Sequence, residues 1–234
     1  VIQFIGSSFL LYTVLVAIKH GYTQIGPIKE NWLQNMFVIG LGMKSAIFGL
    51  HFWVPLIYKK ASPLFCAISS GWVVKLGFIT YLKIIANGNR LLLYIGMIMI
   101  FYGGIRALLA SDYKLLLGYS TISQLGYIAL GIGSGTVYGY YGAVLHIIAH
   151  ALAKTTLFIN GQYWLKECGS CAIHKFSSTI KRGKVSLITT FFCFVSLMGF
   201  PLLAGYNSKH LIKYAFEGNV IFIVLFSLAS IITY

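Results

Sequence analysis

The chain has 234 residues, of which 58% are apolar and only 9% charged. A soluble domain carries roughly 45–50% apolar and about 25% charged residues, so this composition excludes an ordinary soluble fold and points to an all-α polytopic membrane protein. The net charge of +14 comes from 18 basic and 4 acidic residues. In so apolar a chain it reads as cations at membrane edges plus a few buried ones, not as a nucleic-acid surface.

About 20 residues at 1.5 Å each cross a hydrocarbon core of about 30 Å. Windows of that kind recur along the whole sequence and predict eight spans. Span A covers about 1–18, B about 33–57, C about 62–86 and D about 91–110. E covers about 114–133, F about 137–165, G about 185–213 and H about 219–234. B, F and G exceed the needed length, which implies tilt or interruption. The N-terminal stretch shows no basic region before its apolar run, so it reads as a span entered midway through a longer protein and not as a signal peptide.

In span B, "FVIGLGMKSAIFGLHFWVP" places Lys44 just before Gly49 and Pro55. Proline removes a backbone donor and clashes one turn back, so a helix break is expected there. Span C, "SSGWVVKLGFITYL", carries Lys75 near its middle. Span D ends near Arg106, which with Lys83 of span C is expected to snorkel toward the interface. "SDYKLLLGYSTISQLGYIALGIG" opens span E with a Ser–Asp turn able to cap the helix through Asp112. Its Ser120, Thr121, Ser123 and Gln124 supply polar contacts for a neighbouring helix or water.

Span F contains "HIIAHALAKTTLF". His146, His150 and Lys154 stand at i, i+4 and i+8, one face of a helix, in a stripe about 12 Å long. The HxxxH spacing also suits zinc, but the HExxH form needs Glu where Ile147 stands, and no metal is expected there. After span F, Cys168 and Cys171 form one CxxC with His174 nearby; a metal site would want a second pair. Span G, "FVSLMGFPLLAGYNSKHLI", has a second break at Gly199, Pro201 and Gly205, followed by Lys209. His51 and His210 lie beside the two breaks.

Each break thus lies near a lysine, and interrupted helices in corresponding halves of a transporter mark its transport path. A charge at mid-bilayer costs about 2.5–3.5 kcal/mol on insertion scales, so four lysines at depth imply a wet or polar interior. The acids Glu30, Asp112, Glu167 and Glu217 all fall in loops or at span ends, leaving the buried lysines without a carboxylate of this chain. A row of groups that take up and release protons is the chemistry of a proton relay. Loops B–C, D–E and F–G hold the richer set of cations, dominated by Lys166, Lys175, Lys181, Arg182 and Lys184. The positive-inside rule places that side in the cytoplasm or matrix.

These stretches resemble the antiporter-like membrane subunits shared by respiratory complex I, Mrp-type cation/proton antiporters and membrane-bound hydrogenases. "GMKSAIFGLHFWVP", "SSGWVVKLGF", "SDYKLLLGYSTISQLGYIALGIG", "HIIAHALAKTTLF" and "GFPLLAGYNSK" occur in the family's order over most of residues 1–215. The resemblance implies two inverted five-helix repeats, the first partial (1–90) and the second complete (91–234). It matches Lys44 to the first half-channel lysine and Lys75 to the connecting residue. It matches His146, His150 and Lys154 to the linking groups of the second half-channel, and Lys209 to the exit lysine. Within the family the HxxxH stripe leans toward complex I subunit 5 or the Mrp type, and "HFWVP" toward the D-type Mrp protein and its hydrogenase relatives.

The implied function is proton translocation in an NADH:quinone oxidoreductase-type or Mrp-type complex. The alternatives are Mrp-type sodium/proton exchange, a non-pumping structural remnant and an independent solute transporter. Expected partners are other membrane subunits and the bilayer, including a chain supplying the family's five earlier helices and the glutamate that pairs with the lysine at position 44. No cofactor is expected: the chain has no Walker motif, GxGxxG fingerprint or Ser/His/Asp arrangement. The resemblance implies a multi-pass protein of a bacterial or archaeal plasma membrane or the mitochondrial inner membrane.

Overall fold

Glycines let two helices meet backbone to backbone at the centre of the molecule. In the computed structural model, which describes residues 2–174 and 183–232, α6 (Arg90–Leu108) packs along α7 (Tyr113–Gly133). Their contact runs through Gly96 and Gly103 of α6 and Gly126 of α7. A methyl group on Gly126 would lie 2.6 Å from the Gly96 carbonyl oxygen. Small residues permit this approach where lipid tails compete with any larger apolar contact. α7 starts where Asp112 Oδ1 accepts from the Lys114 and Leu115 amides, the cap expected from the sequence. Nearly every residue of its second half is buried.

Around this pair stand α1 (Ile2–Lys19), α2 (Asn31–Ser45) and α3 (Trp53–Lys60). α4 (Pro63–Ile68), a π-helical turn (Ser69–Val73) and α5 (Val74–Ile84) follow as one continuous span. Next come α8 (Val137–Cys168), α9 (Lys184–Met198), α10 (Ala204–Tyr214) and α11 (Val220–Ile232). With α2/α3 and α9/α10 each taken as one interrupted span, the described residues form eight segments matching the eight expected. Pro63–Ile84, α6, α7 and α8 are each long and apolar enough to cross a membrane. The exposed surface carries many large apolar side chains, including Phe4, Leu11, Trp72, Leu108, Leu152 and Ile221, as a lipid-facing surface requires.

Loop contacts define two opposite ends. Lys114 Nζ donates to the Ala61 carbonyl, and the Tyr113 amide to the Cys171 carbonyl. The loops after α3, α6 and α8 therefore share one end, the more basic one in sequence; Lys175, Lys181 and Arg182 lie outside the described residues. At the other end the Ile28 amide donates to Ile84, and the Asn89 amide to Gly133. Asn89 Nδ2 also reaches Gln34 Oε1 and Asn35 Oδ1, tying α2 to the start of α6.

Both expected breaks are present, with details the sequence pattern did not resolve. α2 ends at left-handed Ala46, the chain turns through Gly49 (φ 85°), and α3 starts at Trp53. Pro55 lies in the first turn of α3, where its missing amide hydrogen would be unpaired in any residue. The second break runs from Gly199 (φ 93°) through Pro201 and Leu202 to Ala204. Gly205 already belongs to α10, and its lack of a side chain admits the Ser196 backbone.

The loop after α1 carries the Tyr22 hydroxyl, which donates to Glu30 Oε2 at 2.6 Å and holds that carboxylate below its usual range. A depressed carboxylate stabilises the fold above its unfolded pKa, and that contribution is lost as pH falls through the folded value. Tyr22→Phe is expected to return the Glu30 titration, followed by NMR, toward the ordinary glutamate value. Gly126→Val is expected to destabilise the purified chain by about 1–3 kcal/mol through overpacking. Gly26→Ala, with nothing within 4 Å of the added carbon, should stay within about 0.5 kcal/mol of wild type.

Candidate functional site: a buried basic line

Lys75, His146, His150, Lys154 and Lys209 are all buried, on α5, α8 and α10. His146, His150 and Lys154 are each 0% exposed, and their i, i+4 spacing turns them to the same face of α8. The two imidazoles stack at 6.3 Å with an interplanar angle of 5°. His150 lies within electrostatic range of Lys75, Lys154, His146 and Lys209. Neither of its ring nitrogens has a hydrogen-bond partner among the described residues. The five groups are thus neighbours from three helices, although the sequence places Lys75 and Lys209 far apart.

Backbone carbonyls replace carboxylates as partners for the ammonium groups. Lys75 Nζ donates to the Ser70 and Gly71 carbonyls. Those carbonyls belong to the π-helical turn, whose i→i+5 pattern changes how the turn's own groups pair. Lys154 Nζ donates to the Leu117 carbonyl at 3.0 Å and Ser120 Oγ at 2.5 Å, both on α7. Lys209 Nζ donates to the Met198 carbonyl at 3.3 Å, a group freed where α9 stops, and sits 4.4 Å from the Tyr127 ring centre. No ion pair forms along this line: Glu167 and Glu217 are exposed, and Glu30 and Asp112 lie in loops.

His146 is held from both sides. Its Nδ1 lies 2.8 Å from Ser208 Oγ on α10 and its Nε2 3.0 Å from Gln124 Oε1 on α7. A cavity of about 370 Å³ is lined by Ala110 and Ile173 at the basic end and by Ser120, Ser123, Gln124 and Met198 deeper in. It therefore touches partners of Lys154, His146 and Lys209. A second cavity of about 490 Å³ reaches Lys209 itself, with Gly199, Tyr206, His210 and Lys213 on its wall.

Lys44 stands apart. It is only half-buried, at the last turn of α2, and donates to Ser7 Oγ at 2.8 Å. It opens on a cavity of about 520 Å³ between α2, α3 and the Pro63–Ile84 span. At the same break, Trp53 Nε1 donates to the Met43 carbonyl, so both breaks recapture a carbonyl from the turn before them. His51 is buried between Phe48 and Tyr102, and His210 is exposed. Lys83 and Arg106 are exposed, Arg106 lying over the Tyr119 ring. Cys168 and Cys171 are not joined in a disulfide, and no group of three metal-ligating side chains occurs among the described residues. Sequence reasoning missed the π-helical turn and the pairing of Ser208 and Gln124 with His146; the polar run 120–124 was the available signal.

This architecture, helices with a buried cationic line between two interrupted spans under a largely apolar surface, defines an integral multi-pass membrane protein. Residues 1–233 match the transmembrane family model described as NADH:quinone oxidoreductase/Mrp antiporter, and the chain belongs to that family. It is 30% identical over 210 residues to NADH-quinone oxidoreductase subunit N of Desulforudis audaxviator, covering 84% of this chain and 42% of that protein. It is 27% identical to a Na(+)/H(+) antiporter subunit of Alkalihalophilus pseudofirmus, over 80% of this chain and 40% of that one. The chain thus spans less than half the length of these relatives. Its fold is that of a chain in respiratory complex I from Thermus thermophilus, with a TM-score of 0.88 and 23% identity over 99% of this chain and 54% of that one. A chain of the Mrp complex from Dietzia superposes with a TM-score of 0.83 and 21% identity, over 99% of this chain and 47% of that one.

The Lys154–Ser120 bond predicts energetic coupling between α8 and α7. A double-mutant cycle of Lys154→Met and Ser120→Ala, read by unfolding of the purified chain, is expected to give about 1.5–3 kcal/mol of coupling.

Proposed function

We propose that the chain is a proton-translocating membrane subunit of an NADH:quinone oxidoreductase-type or Mrp-type complex, moving protons through Lys75, His150, Lys154, His146 and Lys209. The observation that carries this reading is the succession of those five buried groups without a carboxylate, lying between two cavities. A proton placed anywhere on the line repels the others, so the groups favour sharing few protons and passing them along. The cavity at the basic end supplies access toward Lys154 and His146, and the one at Lys209 supplies access near the second break. By the positive-inside rule the basic end faces the cytoplasm or matrix.

Residues 1–90 act in this reading as the tail of a first repeat and 91–234 as a second. Gly49, Pro55, Gly199, Pro201 and Gly205 shape the two interruptions. Lys44 is the first-half group, and the acid that pairs with it comes from a neighbouring membrane subunit, which its open cavity accommodates. The named relatives include both a quinone oxidoreductase subunit and a Na(+)/H(+) antiporter subunit, so the driving reaction is redox chemistry in a partner or exchange against sodium.

Lys154→Ala and Lys209→Ala are each expected to lower proton translocation in native membranes about a hundredfold, the scale of one lost proton-transfer group, with the complex still assembled. Undiminished translocation in both assembled variants would refute the relay and favour a structural role. Proton flux that vanishes without sodium selects the exchange form.

A further inference from the structure

Gln124 belongs to the polar run of α7 and is 2% exposed. It stands between the 370 Å³ cavity, which it lines, and Nε2 of His146, which its amide oxygen caps at 3.0 Å. Across the ring, Nδ1 meets Ser208 Oγ at 2.8 Å, and Ser208 Oγ also donates to the Gly205 carbonyl at 2.9 Å. Ser208 has a single hydroxyl proton. With that proton on Gly205, the oxygen can only accept, so Nδ1 must carry a hydrogen. The Gln124 oxygen can only accept as well, so Nε2 must also carry one. With the Gln124 oxygen on Nε2 and the Ser208 hydroxyl on Gly205, as the structure has them, every bond in the frame is made by the doubly protonated ring.

The neutral ring fits only if one partner turns. With its hydrogen on Nε2, the Ser208 hydroxyl must turn to Nδ1 and leave Gly205. With its hydrogen on Nδ1, the Gln124 amide must rotate and present its NH₂ end. The first change acts on the opening turn of α10, which carries Lys209; the second moves the side chain that separates Nε2 from the cavity.

We propose that Gln124 and Ser208 are positioning residues for His146, forming a frame that accepts the ring in its doubly protonated form and places Gln124 as the gate between Nε2 and the cavity. Uptake is balanced simply: a hydronium ion of the aqueous phase forms the new N–H bond at Nε2 and leaves as water. The titratable groups facing the ring are Lys75 of α5, Lys209 of α10 and His150, stacked on it one turn along α8; Tyr127 of α7 packs 5.8 Å from it. No carboxylate of this chain shares the charge, so the two oxygen acceptors are the support the ring has. The proposal deepens the relay reading and depends on it for its consequence in transport.

The test is a substitution series in the full chain, with ring protonation of ¹⁵N-histidine-labelled protein in bilayers read by solid-state NMR. The His146 signal is assigned with His146→Asn. At one fixed pH the doubly protonated fraction should rise in the order Gln124→Leu, wild type, Gln124→Glu, with about tenfold in the underlying equilibrium between the first two. Ser208→Ala should lower it as well. Translocation in native membranes should fall about tenfold in Gln124→Leu and recover in Gln124→Glu. A fraction that ignores the Leu–Gln–Glu order overturns the proposal and leaves Gln124 as packing. If the NMR order holds while His146→Asn translocates normally, the frame is real and the relay reading fails instead.

Discussion

Everything in this structure is arranged around cations that must be buried without carboxylates. A membrane interior penalises a bare ammonium by several kcal/mol, and the four acids of the chain all lie in loops or at helix ends. The fold answers with backbone carbonyls. Lys75 takes those of the π-helical turn, Lys209 takes one exposed by the end of α9, and Lys154 takes one from α7 with a serine hydroxyl. Carbonyl dipoles solvate an ammonium without placing a second titratable group beside it.

Helix irregularity is therefore part of the site and not a defect beside it. A regular helix commits each carbonyl to an internal bond and can only share it, as α7 shares that of Leu117 with Lys154. Where the chain turns at Gly199 and at Ala46, donors from beyond the turn, Lys209 and Trp53, take up the carbonyls left behind. Close glycine packing of α6 on α7 makes α7 a rigid post, and α7 presents Leu117, Ser120 and Gln124 to the basic stripe of α8. Helix α10 closes the arrangement through Ser208 and Lys209. Three helices distant in sequence thereby share one electrostatic neighbourhood.

Much of this was legible in order along the chain. Eight apolar windows marked eight segments, because length and apolarity alone decide what can lie in lipid. The HxxxH stripe with Lys154 was readable because helical periodicity is a local property. Gly49 and Gly199 announced the interruptions, since both take positive φ values. Pro55 and Gly205 fell within the first turn of the following helices, because a proline is tolerated in a first turn and a small residue can serve packing as well as bending. The π-helical turn at Ser69–Val73 has no proline and no periodicity change to betray it, and it exists where Gly71 packs against Thr155 of α8.

Composition and periodicity by themselves determined the membrane class, the segment order, the two interruptions and the shared face of His146, His150 and Lys154, since each follows from hydropathy or from 3.6-residue geometry. Only the tertiary structure decided which groups meet. It brought Lys75 and Lys209 to the stripe, left Lys44 on an open face with Ser7, and set His146 between Gln124 and Ser208. The physical reason is that a buried polar group is satisfied by whichever partner packing delivers. That partner comes from another helix, at a sequence distance no local pattern records.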